Sequence, residues 1–282
     1  MKSLTAKAVV AAGMALATAS LYADAPAAGA KRWPGPQGST YATITQLPDW
    51  SGVWTITHDS VGKLLAAIRA QEPGNSWTPH LTAVYEAKRR AYIEALHSRA
   101  VVDSQPDNNS MHCLPNGMPA MMVIPAPIGF EFLFTPGRVT LLSEESPPRR
   151  IYTDGRAHRP DAESTYAGES IGHWEGQTLV IYTDAIDANA QLLIFNVHGS
   201  GETHVVERVH LADPVHLQID TTVEDPVVLA DPWHYSATYE RSNLVMSEFL
   251  CDNKNNRERA PELDLTPPSP TEAAGSNHVA YK

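Results

Sequence analysis

From Phe130 onward, apolar and polar residues alternate with a period of two, and this pattern constrains the fold more strongly than any other. The alternation starts with Phe130, Phe132 and Phe134 and returns in segments separated by turn residues, at 139–142, 150–153, 178–182, 204–211, 216–223, 233–239 and 245–251. Successive side chains of a strand point to opposite faces, so each segment predicts one strand. The sequence therefore predicts a mainly β fold, an antiparallel meander closing into a barrel or half-barrel of lipocalin-like architecture.

Two N-terminal helices are predicted before this region. Residues 59–71 and 81–96 carry apolar side chains three and four positions apart, which is the helical period. Thr78 followed by Pro79 is typical of a helix start, because proline suits the first helical position. The second helix is therefore expected to begin near Thr78.

The first 23 residues have the features of a secretory signal peptide. Lys2 and Lys7 precede an uncharged, largely apolar run at 8–22, and small residues follow. This run is shorter than the roughly 20 residues that span a bilayer. We therefore expect residues 1–23 to be removed, the mature chain to have no integral membrane segment, and its location to be periplasmic or secreted.

Composition divides the rest of the chain into three parts. Residues 24–46 are rich in Ala, Gly, Pro and Ser and are interpreted as a flexible leader. Residues 260–282 are rich in proline and polar residues, which predicts a disordered tail. Residues 47–259 between them are expected to form a single barrel-like domain with a helical N-terminal part.

The chain has two cysteines, Cys113 and Cys251. An even number of cysteines in an exported chain favours a disulfide between them. The alternative is two separate buried thiols.

The formal net charge of −11 argues against a nucleic-acid partner, which would require a basic surface. There is no glycine-rich phosphate loop and no compact ligand motif such as His-Glu-x-x-His. The expected partner is a small-molecule ligand, and no metal or other cofactor is predicted.

Alternation also predicts carboxylates inside the barrel. Glu207 shares its face with apolar neighbours in 204–211, as Glu248 does in 245–251, and Glu131 shares a face with Leu133. Burial raises the pKa of a carboxyl group, which is one way to make a general acid or base. The alternative is a structural ion pair with an arginine such as Arg150 or Arg156.

Two polar clusters supply further candidates for a site. The first cluster contains Tyr152, Asp154, Arg156 and His158. The second places His173 and Glu175 on one strand face, with Trp174 opposite. Histidine titrates near neutral pH, so a histidine with a carboxylate partner can transfer protons, although the same residue types could hold a metal.

These clusters lead to assigned roles. We expect His173 to act as acid or base, with Glu175 or Asp154 as its orienting partner and Glu207 as a second carboxylate. Arg156 and Tyr152 would form an electrophilic clamp. Substrate-binding roles fall to the clamp and to three other residues: His158, His204 and Glu248. His204 could instead simply meet solvent.

Six motifs occur in order along residues 47–256: LPDWSGVW, CLPNGMP, FEFLFTPGR, RRIYTDGR, SIGHWEG and the pair Glu207-Arg208. In them the chain resembles a large family of exported bacterial proteins that has no known reaction. The resemblance implies one exported β-rich domain and no catalytic roles. The chain departs from the family at 184–187, where relatives more often have a Gly-Phe pair, so loop 185–203 is expected to shape a different ligand site.

Three functions follow as hypotheses. The first is an enzyme, a lyase or isomerase, that binds a small apolar or aromatic molecule in the barrel. Its His–carboxylate site would catalyse an elimination, hydration, isomerisation or cyclisation without a cofactor. The second is a non-catalytic, lipocalin-like carrier of apolar ligands, and the third is a metal-dependent hydrolase. Fold alone does not choose among them.

Overall fold

The computed structural model describes residues 40–70, 76–97, 109, 113–124, 128–193 and 197–247. The predicted signal peptide, most of the predicted leader, the predicted tail, Glu248 and Cys251 lie outside these residues. The signal peptide and the disulfide between Cys113 and Cys251 therefore stay predictions.

A closed barrel of nine strands dominates the described part of the chain. Two further strands pair only with each other. The strands in chain order are β1 (Val53–Ile56), β2 (Phe130–Thr135), β3 (Arg138–Ser143), β4 (Arg149–Tyr152), β5 (Glu169–Glu175), β6 (Thr178–Asp184), β7 (Gln191–Leu193), β8 (Val197–His198), β9 (His204–Asp213), β10 (His216–Glu224) and β11 (Trp233–Ser242). The separate pair is β7 and β8. The predicted mainly β barrel is confirmed.

Neighbouring strands of the barrel also follow one another along the chain once β7 and β8 are set aside. Every pairing around the barrel is antiparallel except that of β4 with β5, which is parallel. A parallel pair needs a crossover, because the chain must return to the same end of the sheet. Residues 153–168 make that return, and we call them the crossover segment.

Alternating burial defines the inner and outer faces of the barrel wall. On β10 the buried side chains are Leu217, Ile219, Thr221 and Val223, and their neighbours face outward. β2 follows the same rule with Phe130 and Phe132 inside. Glu131 therefore lies on the outward face with Leu133, so the prediction that Glu131 points inward is wrong.

A loop segment packs against the inward-facing side chains. Met118, Ala120 and the rest of the 3₁₀ turn Ala120–Met122 are buried. The Tyr239 hydroxyl, on β11, donates a hydrogen bond of 2.5 Å to the Met122 carbonyl. The chain's own side chains therefore occupy this part of the barrel interior.

In the described residues before β2 there are three α-helices: α1 (Tyr41–Ile44), α2 (His58–Ala70) and α3 (Ala83–His97). The helix predicted over 59–71 is confirmed as α2. α1 is a single capped turn within the predicted leader. None of the described helices is both long and apolar enough to cross a membrane.

The second helix begins later than predicted, at Ala83 rather than near Thr78. Residues 80–82 are extended and pair with 228–230, with the Thr82 N–H donating to the Val228 carbonyl at 2.9 Å. The Ala230 N–H donates to the His80 carbonyl at 2.8 Å. These long-range bonds outweigh the local Thr-Pro signal.

The prediction of a strand over 245–251 is wrong for 245–247, the part of it that the structure describes. Residues 243–247 form no strand, and Val245 is 84% exposed. The reason is that β1 pairs with β11 from Val53–Ser242 to Ile56–Tyr239. β11 therefore has no free edge left for a following strand.

Candidate functional site

A buried ion pair lies inside the barrel. Glu207 is 0% exposed, as its position on the inner face of β9 predicts, and Arg149 on β4 is 1% exposed. The guanidinium binds the carboxylate through two nitrogens, one at 3.1 Å from Nη1 to Oε1 and the other from Nη2 to Oε2. The arginine partner is thus Arg149, because Arg150 points outward on the same strand.

The remaining hydrogens of Arg149 are also bound. Its Nε donates to Ser170 at 3.1 Å, and its Nη2 donates to Thr183 at 2.8 Å. Nη1 lies 3.8 Å from the sulfur of Met122. A guanidinium has five N–H donors, and these contacts use all of them. The pair is therefore a closed network with no donor left for a ligand.

Tyr235 on β11 is the buried polar group that this network does not satisfy. Its hydroxyl makes no well-formed hydrogen bond within the described residues, and the Thr221 side chain is the polar group nearest to forming one. Burial raises the pKa of Tyr235 well above its ordinary value, with a smaller opposing effect from Thr221. The phenol is therefore neutral and has a hydrogen to donate.

Three residues of the first predicted polar cluster contact one another. Arg156 binds the Asp154 carboxylate through Nε at 2.8 Å and Nη2 at 2.5 Å, and its guanidinium lies 3.8 Å from the ring centre of Tyr152. Burial disfavours ionisation of Asp154, but the hydrogen bonds and charge of Arg156 outweigh it and lower the pKa of that carboxyl. Asp154 is occupied by Arg156 and does not orient His173.

The second cluster lies on the outer wall of the barrel. His173 and Glu175 are both about half exposed, with Nε2 to Oε1 at 3.1 Å, and Glu175 also accepts from Arg208 at 2.8 Å. The hydrogen bonds from Arg208 and then His173 lower the pKa of Glu175. Glu207 faces the interior, so the structure does not bring His173 and Glu207 to one site.

His158 and His204 are brought together, at the edge of the barrel. Asp184 ends β6, with Glu169 opposite it at the start of β5. Asp184 lies 2.7 Å from Nδ1 of His204 and 3.4 Å from Nε2 of His158, whose Nδ1 is 3.4 Å from Glu169. We call His158, Glu169, Asp184 and His204 the rim cluster. The sequence predicted both histidines as site residues but neither carboxylate.

A groove of about 240 Å³ opens where residues 76–80 meet the start of β11. Its lining residues are Ser76, Thr78, His80, Asp231, Pro232, Trp233 and His234. At its edge, Nδ1 of His80 lies 3.1 Å from Oδ2 of Asp231, and both side chains are exposed. Small-molecule sites are usually concave and carry a few polar groups, so the groove is a candidate site.

Fixed contacts surround the groove. The Trp233 indole N–H donates to the Ser76 carbonyl at 2.9 Å, and Nδ1 of His234 lies 2.9 Å from the Thr222 hydroxyl. The pairing of residues 80–82 with 228–230 holds its two walls together. His80 and Asp231 are 151 positions apart in the chain, so no local motif marks them as partners.

Comparisons with known protein families, with curated proteins and with solved structures find no match for this chain. Within the described residues, no group of three or more His, Cys, Asp or Glu side chains is arranged to hold a metal ion.

Proposed function

We propose that the mature chain is an exported protein that binds a small molecule in the groove and transfers a proton to or from it through His80 and Asp231. The observation that carries this proposal is a histidine–carboxylate pair at the edge of a concave surface. His173 and Glu175 have comparable geometry but lie on the outer wall, beside Arg208.

Asp231 favours one tautomer of His80. A carboxylate near Nδ1 favours the tautomer in which that nitrogen carries the hydrogen. Nε2 then has a lone pair and, within the part of the chain described, no hydrogen-bond partner. It is the nitrogen that would take a proton from a ligand and return it.

The groove suits a small ligand with an apolar part. Its volume is below the range of about 300 to 1,000 Å³ that is usual for drug-sized sites. Pro232 and Trp233 supply apolar wall, and His80 and His234 supply polar groups. A compact aromatic or cyclic molecule with a carbonyl or hydroxyl group fits this lining. Elimination, hydration, isomerisation and cyclisation are the proton-transfer reactions we propose for it.

Export and the disulfide belong to the same proposal. The charged start, the short apolar run and the small residues after it support secretion. In an oxidising compartment Cys113 and Cys251 would pair and constrain the unfolded chain. Acid–base chemistry without a nucleotide cofactor suits such a compartment.

The carrier hypothesis has less support. A lipocalin-like carrier holds its ligand inside the barrel. Here Met118, the turn Ala120–Met122 and the ion pair of Arg149 with Glu207 occupy interior space. The groove is lined by residues 76–80 and 231–234 and not by these interior side chains.

The test measures proton exchange directly. Acetophenone and cyclohexanone in D₂O serve as probes, and proton NMR follows the loss of hydrogen next to the carbonyl group. The intact mature chain should accelerate exchange, and His80→Ala should reduce the rate by about a hundredfold or more, which is typical for loss of a general base.

His173→Ala is the matched control, because it removes another exposed histidine bonded to a carboxylate. It should leave the rate unchanged. No acceleration by the intact chain would refute the proposal, and so would a His80→Ala variant as fast as the parent. A loss confined to His173→Ala would move the site to the outer wall.

A further inference from the structure

His158 is placed between two carboxylates. Its Nδ1 lies 3.4 Å from Oε2 of Glu169, and its Nε2 lies 3.4 Å from Oδ2 of Asp184. The side chain is only 23% exposed. Both ring nitrogens are shielded from solvent, and neither makes a well-formed hydrogen bond within the described residues.

This arrangement suits the protonated imidazole ring. A neutral imidazole has one N–H and one lone pair, so one nitrogen would present its lone pair to a carboxylate. The protonated ring has an N–H on both sides and a charge opposite to that of Glu169 and Asp184. Protonation therefore pairs both ring nitrogens with carboxylates, whereas the neutral ring leaves one carboxylate facing a lone pair.

The groups facing His158 keep the carboxylates in place. Glu169 accepts from Arg159, at 2.5 Å from Nε and 2.9 Å from the backbone nitrogen. Burial opposes ionisation of Glu169, but the hydrogen bonds and charge of Arg159 outweigh it and lower its pKa. Asp184 is also bound by His204 at 2.7 Å. His204 is more exposed than His158 and lies on β9, not on the crossover segment.

We propose that protonation of His158 adds a second attachment of the first half of the crossover segment to the edges of β5 and β6, beside the bonds of Arg159 to Glu169, and that loss of this proton loosens the segment without detaching it. The second half is fastened differently. The Thr165 N–H donates to the Ala185 carbonyl at 3.0 Å, and the Tyr166 carbonyl accepts from the Met118 N–H at 2.8 Å. These backbone bonds do not titrate, so the loosening is limited to the residues around His158.

The rim cluster thereby becomes an acid-operated latch. In mildly acidic surroundings residues 157–164 are held more tightly against the barrel edge. In mildly alkaline surroundings the bonds of Arg159 to Glu169 remain, and the segment opens more often. This inference does not depend on the groove or on any reaction there, so the two proposals can fail separately.

Hydrogen–deuterium exchange of the full chain, read by mass spectrometry, tests the latch. Protection of peptides spanning 157–164 is compared at about pH 5.5 and about pH 8, on either side of the usual histidine titration, after correction for intrinsic exchange. We expect protection to fall about fivefold at the higher pH, as two partly exposed ion pairs allow.

Three variants make the result specific. His158→Gln should show low protection at both pH values. His158→Arg, which stays charged, should show high protection at both. His173→Gln, which alters a pair outside the crossover segment, should behave like the parent. Unchanged protection of β9 and β10 peptides shows that each variant is folded. The latch is refuted if the parent shows no pH dependence, or if His158→Gln keeps it.

Discussion

Replacing Glu207 by Gln should destabilise this barrel far more than the same change at a surface glutamate. Glu207 is the only acidic partner of Arg149 among the described ion pairs, and neither side chain reaches solvent. The amide keeps the shape of the carboxylate but provides one acceptor oxygen instead of two, and no charge. The guanidinium is then left buried without a counter-charge.

The expected cost follows from that uncompensated charge. Removing one partner of a buried ion pair costs about 3 to 5 kcal/mol, because the remaining ion has lost both water and its partner. Domains of this kind are stable by about 5 to 15 kcal/mol, so the loss is a large fraction of the total. Removing both charges should be milder. Ser170 and Thr183 bond to each other at 2.9 Å and stay satisfied without Arg149.

Urea unfolding followed by tryptophan fluorescence measures these differences as free energies of unfolding. The set comprises the parent, Glu207→Gln, Arg149→Met, the double variant Arg149→Met with Glu207→Leu, and Glu175→Gln as control. Glu175 also binds an arginine, Arg208, but on the exposed face of the wall. The control should unfold like the parent, and the double variant should be more stable than either single variant.

Two outcomes would contradict this reasoning. One is a Glu207→Gln variant that is no less stable than Glu175→Gln. The other is a double variant whose loss equals the sum of the single losses, because the two buried charges would then not be coupled.

Two further predictions concern stability. Burial disfavours ionisation of Asp225, but hydrogen bonds from Thr203, Ser200 and Val228 outweigh it and lower its pKa. The stabilisation of the fold by the ionised Asp225 carboxylate is therefore complete above the unfolded-state pKa near 4. It is lost as the pH falls through the lower folded-state pKa. Asp225→Asn should cost about 1 to 3 kcal/mol at pH 7 and flatten the acid dependence of urea unfolding; identical pH dependence in parent and variant would show that the carboxylate contributes nothing. Gly117→Ala should lower the melting temperature more than Gly155→Ala. Both glycines have a positive φ, +76° and +78°, but only at Gly117 would the new Cβ meet an atom at 2.6 Å. Equal falls in melting temperature would show that the positive φ, and not the Cβ contact at Gly117, causes the whole effect.

The sequence alone predicted much of the barrel, because strand alternation is a local property. Each buried segment after Phe130 has to present its apolar residues to one side, and that requirement is readable one strand at a time. The inward direction of Glu207 and the shared face of His173 and Glu175 follow from the same rule, but alternation did not tell that the face of His173 and Glu175 is the outer one.

Pairings between distant segments were decided only by the tertiary structure. β1 takes the edge of β11, which leaves no partner for a strand over 245–251. The pairing of 80–82 with 228–230 delays α3 and brings His80 to Asp231. The partner of Glu207 is Arg149 because Arg149, and not Arg150, faces inward on β4, and the closed barrel brings it to Glu207 on β9 although β5 and β6 lie between the two strands. Alternation states which side of a strand is buried, but the closing of the barrel determines which residues meet there.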